Sequence, residues 1–390
     1  MRGFGRLISL GIAALFVAGG LSLRPQAGDA ANEPYVIGAV VCESGPAATL
    51  GRPEADSIQL AVDEINKSGG VNGHPLQVTV IDDETSPANA VNATRRLVDQ
   101  HVLAILGTSI TQGSLAMVPI AQQAHIPMIA YASSATVIEP VESHQWIFKI
   151  PPTDTSVAQM MQKFMKAQGT TRFGAVYRND DYGKTGIAHF SEAGKGEGFE
   201  VVASEAIDAT ATDATTQLTK LRAANPQGIL VWSTLPSVYV VAKGYRQLSL
   251  GNLPLYFSDG AADQRFLDQA GQALNGAYIA TSRVSIGSQL PNSDPSKKLI
   301  VHYVEAFNNA FPKDKPANMF GGFAYDSLYW LKQALAKSGP DPAKLREALE
   351  HVTYVGVSGT FKTSPQDHNG LAPNADVIAK VVDGKFVLIR

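Results

Sequence analysis

Residues 35–83 read YVIGAVVCESGPAATLGRPEADSIQLAVDEINKSGGVNGHPLQVTVIDD. The apolar, β-branched run 35–41 predicts a strand. Over 52–68, Ala55, Ile58, Val62 and Ile65 fall on one helical face; Gly69-Gly70 ends that helix, and 76–81 returns to the strand pattern. A strand, a helix and a second strand in this order make a right-handed crossover unit. Such units build a parallel sheet with helices on both faces.

The same alternation runs on in both directions from this stretch. Helical periodicity covers 87–100 and 113–124, with strands over 103–106, 127–130 and 146–150, the last ended by Pro151-Pro152. The rhythm then restarts, with strands over 173–177, 201–207, 229–232, 255–257 and 277–280 and helices over 155–167, 184–196, 214–224 and 237–248. Two successive doubly wound units predict two similar α/β lobes with a crevice at the carboxyl ends of their strands. The tail adds helices over 296–311, 320–337 and 342–351. Strands over 377–382 and 385–389 flank Asp383-Gly384, a two-residue hairpin signal, and these elements complete sheets begun earlier.

A chain of 390 residues exceeds what one hydrophobic core usually organises, which agrees with two lobes. With 45% hydrophobic and 17% charged residues, 35 Gly and 22 Pro, the composition excludes a disordered or fibrous chain. Net charge is −3 and no Lys/Arg cluster stands out, so nothing points to nucleic acid. At the start, Arg2 and Arg6 precede an apolar run over 7–23, and Gly28-Asp29-Ala30 supplies small residues for cleavage. Residues 1–30 are therefore expected to be a secretory signal that is removed, which places the protein in the periplasm; a single membrane anchor is the alternative. Cys42 is the only cysteine, so no internal disulfide can form, and its apolar strand setting predicts a buried inert thiol.

Catalytic and metal signatures are missing. There is no His-Glu-x-x-His pattern, and the eight His residues lack ligand spacing, so neither a metal nor another cofactor is expected. Gly183-Lys184-Thr185 imitates the end of a phosphate loop, but Arg178 stands where that loop needs its first Gly. Asp82-Asp83-Glu84 is expected to be a solvated turn. A protein that binds without catalysing is the expectation.

Several strand ends carry small or hydroxyl residues: Ser44-Gly45-Pro46, then 107–111 with Ser109 and Thr111, then Tyr131-Ala132-Ser133-Ser134. Loops of this kind before helices expose backbone N–H groups beside a positive helix end, which suits a carboxylate. The second half offers Tyr182, whose ring and hydroxyl can face a ligand, and Asp259, which can meet an ammonium.

With these residues in view, the chain resembles the leucine/isoleucine/valine-binding type of periplasmic receptor that serves ABC transporters. The likeness is carried by Ser44-Gly45-Pro46 with Gly51, by residues 61–66 (AVDEIN) with Gly69-Gly70-Val71-Asn72-Gly73, by Asp82-Asp83, by Asp181-Tyr182-Gly183, and by Gly356-Val357-Ser358-Gly359 with Phe361. The resemblance implies a type I periplasmic binding protein fold: two doubly wound parallel-sheet lobes joined by a three-stranded hinge with crossovers near Pro151, Thr281 and Asn374. It divides the chain into an N-terminal lobe of 34–151 plus 282–374 and a C-terminal lobe of 152–281 plus 375–390. It also implies that Ser109 or Thr111, Ala132, Ser133 and Ser134 bind a carboxylate while Tyr182 and Asp259 close from the other side. Leu50 and Leu235 fall where relatives often carry aromatic residues.

The expected ligand is an amino acid of branched-chain type, with aromatic carboxylates or amides as the alternative. The expected partner is an inner-membrane ABC permease, with the receptor a monomer; a periplasmic sensor subunit is a second role for the same closure.

Overall fold

The computed structural model describes residues 32–389, and the expected signal segment over 1–30 lies outside them. The first sheet is formed by β1 (Tyr35–Val41), β2 (Leu76–Asp82), β3 (Ile105–Gly107), β4 (Met128–Ala130) and β5 (Ile147–Lys149), in the spatial order β2-β1-β3-β4-β5. Every pairing in it is parallel. The second sheet contains β6 (Arg172–Arg178), β7 (Glu200–Ile207), β8 (Gly228–Trp232), β9 (Leu255–Phe257) and β10 (Tyr278–Ser282). β11 (Thr353–Val355) and β12 (Thr360–Lys362) form a separate small ladder, and β13 (Asp376–Val382) and β14 (Lys385–Leu388) join the second sheet, whose order is β14-β13-β10-β9-β8-β6-β7.

That second sheet is mixed instead of purely parallel, because β13 runs antiparallel to β10 and β14 antiparallel to β13. For β14 the cause is the Asp383-Gly384 turn, with φ of 49° and 72°, since a two-residue link can only join antiparallel neighbours.

Among the described residues, eleven α-helices cover the sheets: α1 (Ala48–Lys67), α2 (Pro87–Asp99), α3 (Thr111–Ala124), α4 (Asp154–Ala167), α5 (Asp181–Ala193), α6 (Thr215–Ala223), α7 (Ser237–Gln247), α8 (Gln264–Ala270), α9 (Lys297–Ala310), α10 (Met319–Ser338) and α11 (Pro342–Leu349). Strand alternation divides the core between the two faces of each sheet. Ile37, Ala39 and Val41 of β1 share a core with α1 and α10, whereas Val40 packs with Ala90, Leu97 and Met117 of α2 and α3. On the second sheet, Phe173 and Ala175 meet α4 and α5, while Val176 meets Leu218 and Val241 of α6 and α7. Each such side chain contributes about 1.5–3 kcal/mol when fully buried, so the cores hold the fold without a disulfide. Cys42 is buried and free, and burial pushes its thiol well up, which keeps it inert.

The chain passes between the sheets three times: through Pro151-Pro152 after β5, after Ser282 of β10, and before Asp376 of β13. Ser282 and Asp376 stand opposite each other in the β10–β13 ladder, so two of the crossings lie side by side.

Three local expectations are corrected. α1 begins at Ala48, not near Arg52, and carries Pro53 in its interior. Proline suits a first turn, and its internal placement here depends on a contact from the other lobe described below. Asp82-Asp83-Glu84 is a solvated turn only at Glu84; Asp83 is 1% exposed and accepts a hydrogen bond from the Thr85 N–H at 2.8 Å. α8 was not anticipated, because seven residues span barely two turns and carry too little periodicity to register.

Candidate functional site

The carboxyl ends of both sheets face a common cavity of about 30 Å³, room for a water molecule or two. The first lobe lines it with Leu50 of α1, Ser109, Ile110 and Thr111 between β3 and α3, Tyr131 and Ser133 after β4, and Phe320 and Phe323 of α10. The second lobe lines it with Arg178, Asp180 and Tyr182 after β6, Thr234 after β8 and Gly260 after β9. The wall is thus apolar on the side of Leu50, Ile110, Phe320 and Phe323 and polar where the strand ends meet.

One glycine sets the first-lobe wall. Gly107 ends β3 with φ of +97°, and a Cβ there would lie 1.8 Å from the Val40 carbonyl oxygen, so only glycine turns the chain here. The turn delivers Ser109, Ile110 and the start of α3 to the cavity. α3 has no side-chain cap, so its first backbone N–H groups are unsatisfied by the usual device. Thr111 Oγ1, on the first residue of that helix, is buried in the wall without a hydrogen-bond partner among the described residues. A buried hydroxyl with no partner is costly unless something else satisfies it. Ser109 donates instead to the buried carboxyl of Glu54, whose affinity for its proton is raised well above the usual range by desolvation.

The second-lobe wall is a network around Tyr182. Its hydroxyl donates to Asp259 Oδ1 at 2.9 Å and accepts from the Gly260 N–H at 3.2 Å. Asp259 Oδ2 accepts from Ser133 Oγ at 3.1 Å, across the gap between the sheets. Asp259 is 1% exposed; burial raises its pKa, opposed by the hydroxyls of Tyr182 and Ser133 and by the charge of Lys149. Arg178 is also buried, at 7% exposure, and pairs with Asp180 through Nε and with Thr234 Oγ1 through Nη1.

The expected ligand residues therefore fall into two groups. Leu50, Ser109, Thr111, Ser133 and Tyr182 line the cavity. Asp259 lies behind Gly260 and Tyr182, Ala132 packs into the core beneath α2 and α3, and Leu235 packs into the second-lobe core. Ser134 Oγ bonds Thr136 Oγ1 at 2.9 Å and Thr185 Oγ1 at 3.2 Å. The Ser44-Gly45-Pro46 loop turns away from the cavity, its Ser44 hydroxyl donating to Asp82 Oδ2 at 2.6 Å. Sequence reasoning missed Arg178, Thr234, Phe320 and Phe323, and gave Tyr131 and Asp180 no role of their own. One signal was available: Arg178 is a lone charge at the end of an apolar strand, on the edge that faces the crevice.

The sequence profile described as periplasmic binding protein matches residues 34–385. The chain belongs to that family.

This periplasmic binding protein is 23% identical over 320 residues to the leucine-, isoleucine-, valine-, threonine- and alanine-binding protein of Pseudomonas aeruginosa, covering 82% of each chain. It is 25% identical over 321 residues to the Leu/Ile/Val-binding protein of Escherichia coli, covering 81% of this chain and 82% of that one. Among solved structures, an extracellular ligand-binding receptor from Rhodopseudomonas palustris superimposes with a TM-score of 0.84 at 26% identity, over 92% of this chain and 99% of that one. The branched-chain amino acid transporter substrate binding protein of Streptococcus pneumoniae, solved with isoleucine, shares the fold with a TM-score of 0.79 at 23% identity, over 90% and 97% of the two chains. The type I periplasmic binding protein fold and a solute-binding role follow from this membership.

Proposed function

We propose that the protein is the periplasmic receptor of an ABC importer and closes its two lobes over a small carboxylate with an apolar body, without catalysing a reaction. One observation carries the reading: the unpartnered Thr111 Oγ1 stands beside the uncapped start of α3 in the cavity wall. A helix start of this kind favours an anion by about 0.3–1 kcal/mol, and by up to about 2 kcal/mol where it is partly buried. A carboxylate placed there accepts from the hydroxyl and the free N–H groups together, while Leu50, Ile110, Phe320 and Phe323 cover the ligand's apolar part. A cavity this small admits a ligand only when its walls part, so hinge motion is built into binding.

An amino acid was expected because Asp259 could meet an ammonium. In the structure both Asp259 oxygens already accept a hydroxyl, which favours carboxylates that carry no ammonium. The branched-chain reading keeps one support of its own. Relatives are named for Leu, Ile and Val binding.

Thermal unfolding with a ligand panel tests both readings. Binding at a hundredfold excess over Kd stabilises by about 2.7 kcal/mol. Stabilisation by 4-methylpentanoate or phenylacetate, and not by leucine, supports the first reading, and the reverse supports the second. No response to any carboxylate rejects both.

A further inference from the structure

Arg178 is the last residue of β6, and its guanidinium is buried in the cavity wall. A buried cation is costly unless its donors are met. Arginine has five N–H donors in a fixed fork. Thr234 Oγ1 takes one from Nη1, Asp180 pairs with Nε, and Nη2 has no hydrogen-bond partner among the described residues. Asp180 is itself committed as the cap of α5, accepting from the Gly183 N–H at 3.0 Å. The guanidinium therefore keeps donors free: Nε, though ion-paired with Asp180, also makes no hydrogen bond among the described residues, and Arg178 lines the cavity.

Its position is fixed by its neighbours. A Cβ at Gly183 would lie 2.0 Å from the Arg178 carbonyl oxygen, so the first turn of α5 sits directly on the Arg178 backbone and holds it in register. On the opposite wall, in the other lobe, stand Thr111 and the uncapped start of α3. Two groups that seek an anion thus approach one cavity from two sheets whose covalent links are the three hinge crossings.

We propose that Arg178 is the second-lobe partner of the ligand's carboxylate, so that the anion is bracketed between its guanidinium and the start of α3. The inference rests on the receptor reading above and adds a residue that decides specificity. A guanidinium matches a carboxylate with two parallel N–H···O bonds, a fit that an ammonium lacks. Because each lobe holds one side of the same anion, the carboxylate gains most when the lobes are together. Ligand charge then becomes the quantity that drives closure, through its different affinity for the open and closed arrangements. The neutral amide of the same acid cannot use the fork in this way, and discrimination between acid and amide becomes the signature of Arg178.

Isothermal titration of the whole protein with phenylacetate, 4-methylpentanoate and phenylacetamide tests this. For Arg178→Met the expected result is a loss of about 100-fold in affinity for the acids with little change for the amide, as two charge-assisted hydrogen bonds disappear. Arg178→Lys keeps the charge but not the fork and is expected to fall between the two, with Thr111→Val weakening the acids by about 10-fold from the opposite wall. Circular dichroism checks that each variant is folded, and should Arg178→Met fail to fold, Arg178→Lys with the acid-to-amide ratio carries the test. Acid affinity in a folded Arg178 variant within threefold of the wild type, or an equal loss for acid and amide, overturns the proposal. Wild-type protein that binds none of these acids overturns the reading of the ligand as a carboxylate without an ammonium, and the role of Arg178 with it.

Discussion

Arg265 Nη2 donates to the carbonyl oxygen of Thr49 at 2.7 Å and so ties the second lobe to the first. The carbonyl is available because Pro53, four residues further along α1, has no N–H to give it. Asp263 grips the same guanidinium through Nε and Nη2 at 2.9 and 2.6 Å, and its Oδ2 also accepts from Asn318 Nδ2 of α10 at 2.9 Å. A proline that looks like a helix start in sequence is, in the fold, the reason a cross-lobe contact exists.

Arg265→Ala removes this contact without touching the cavity wall. The side chain is 34% exposed, so solvent screens it, and about 1 kcal/mol of closure is expected to be lost. Ligand affinity should drop about fivefold, mainly through faster dissociation, with the unfolding temperature almost unchanged. Stopped-flow release of bound ligand measures this, and an unaltered dissociation rate counts against the contact's role.

Ser133→Ala leaves Asp259 Oδ2 without its partner across the gap. A hydrogen bond to a charged group contributes about 1.5–3 kcal/mol, so the open arrangement should gain in population. Small-angle scattering on ligand-free protein is expected to show a larger radius of gyration than wild type; equal radii refute the expectation.

Asp326 of α10 is completely buried and accepts from the Val357 N–H at 3.0 Å, the Ser358 N–H at 2.8 Å and the Tyr354 hydroxyl at 3.1 Å. Asp326→Ala strands two buried backbone donors and a phenol, and a loss of about 2–4 kcal/mol is expected. Urea denaturation reads the change directly, and a loss below 1 kcal/mol contradicts this account.

Lys149 and Asp376 titrate at the hinge. Burial pushes Lys149 down to about 7, against the pull of Asp154, Asp259, Asp376 and Glu139. Burial, with the Asp259 charge adding to it, pushes Asp376 up to about 7, against Lys149 and Arg283. Lys149 Nζ donates to the Pro151 and Pro152 carbonyls, both at 2.7 Å, and neither Asp376 oxygen has a hydrogen-bond partner among the described residues. Asp376 holds its proton more tightly when folded, so the stability it contributes at acid pH is lost as pH climbs from about 4 to about 7. Lys149 acts in the other window: its penalty at neutral pH is relieved as pH rises from about 7 towards the ordinary lysine value. Asp376→Asn removes the first of these changes. Between pH 5 and 7 its unfolding temperature should gain steadily on the wild type, at up to about 1 kcal/mol of relative stability per unit. Parallel pH profiles for the two proteins rule this out.

Most of the scaffold is legible in the sequence. The strand at 35–41, the glycine pair that ends α1, the restart after Pro151-Pro152 and the Asp383-Gly384 turn are local signals, written in residues close together in the chain. Helix starts were less legible wherever a distant residue compensated a local penalty, as Arg265 does for Pro53. Of the site, the loops themselves could be named, because small and hydroxyl residues at strand ends mark them. Less legible was which charged side chain reaches the cavity wall, since Asp259 was expected there and Arg178 was not.

Two α/β lobes, the strand ends that meet and the chemistry at those ends are written locally in the chain, because periodicity and turn residues act over a few positions. Only the packing of the two lobes spends Asp259 on Tyr182 and Ser133 while Arg178, in the cavity wall, keeps donors without a hydrogen-bond partner among the described residues. Both are charged residues near the end of an apolar strand, and nothing local separates them. Their different fates depend on which hydroxyls and carboxylates lie within about 3 Å once the two sheets are brought together.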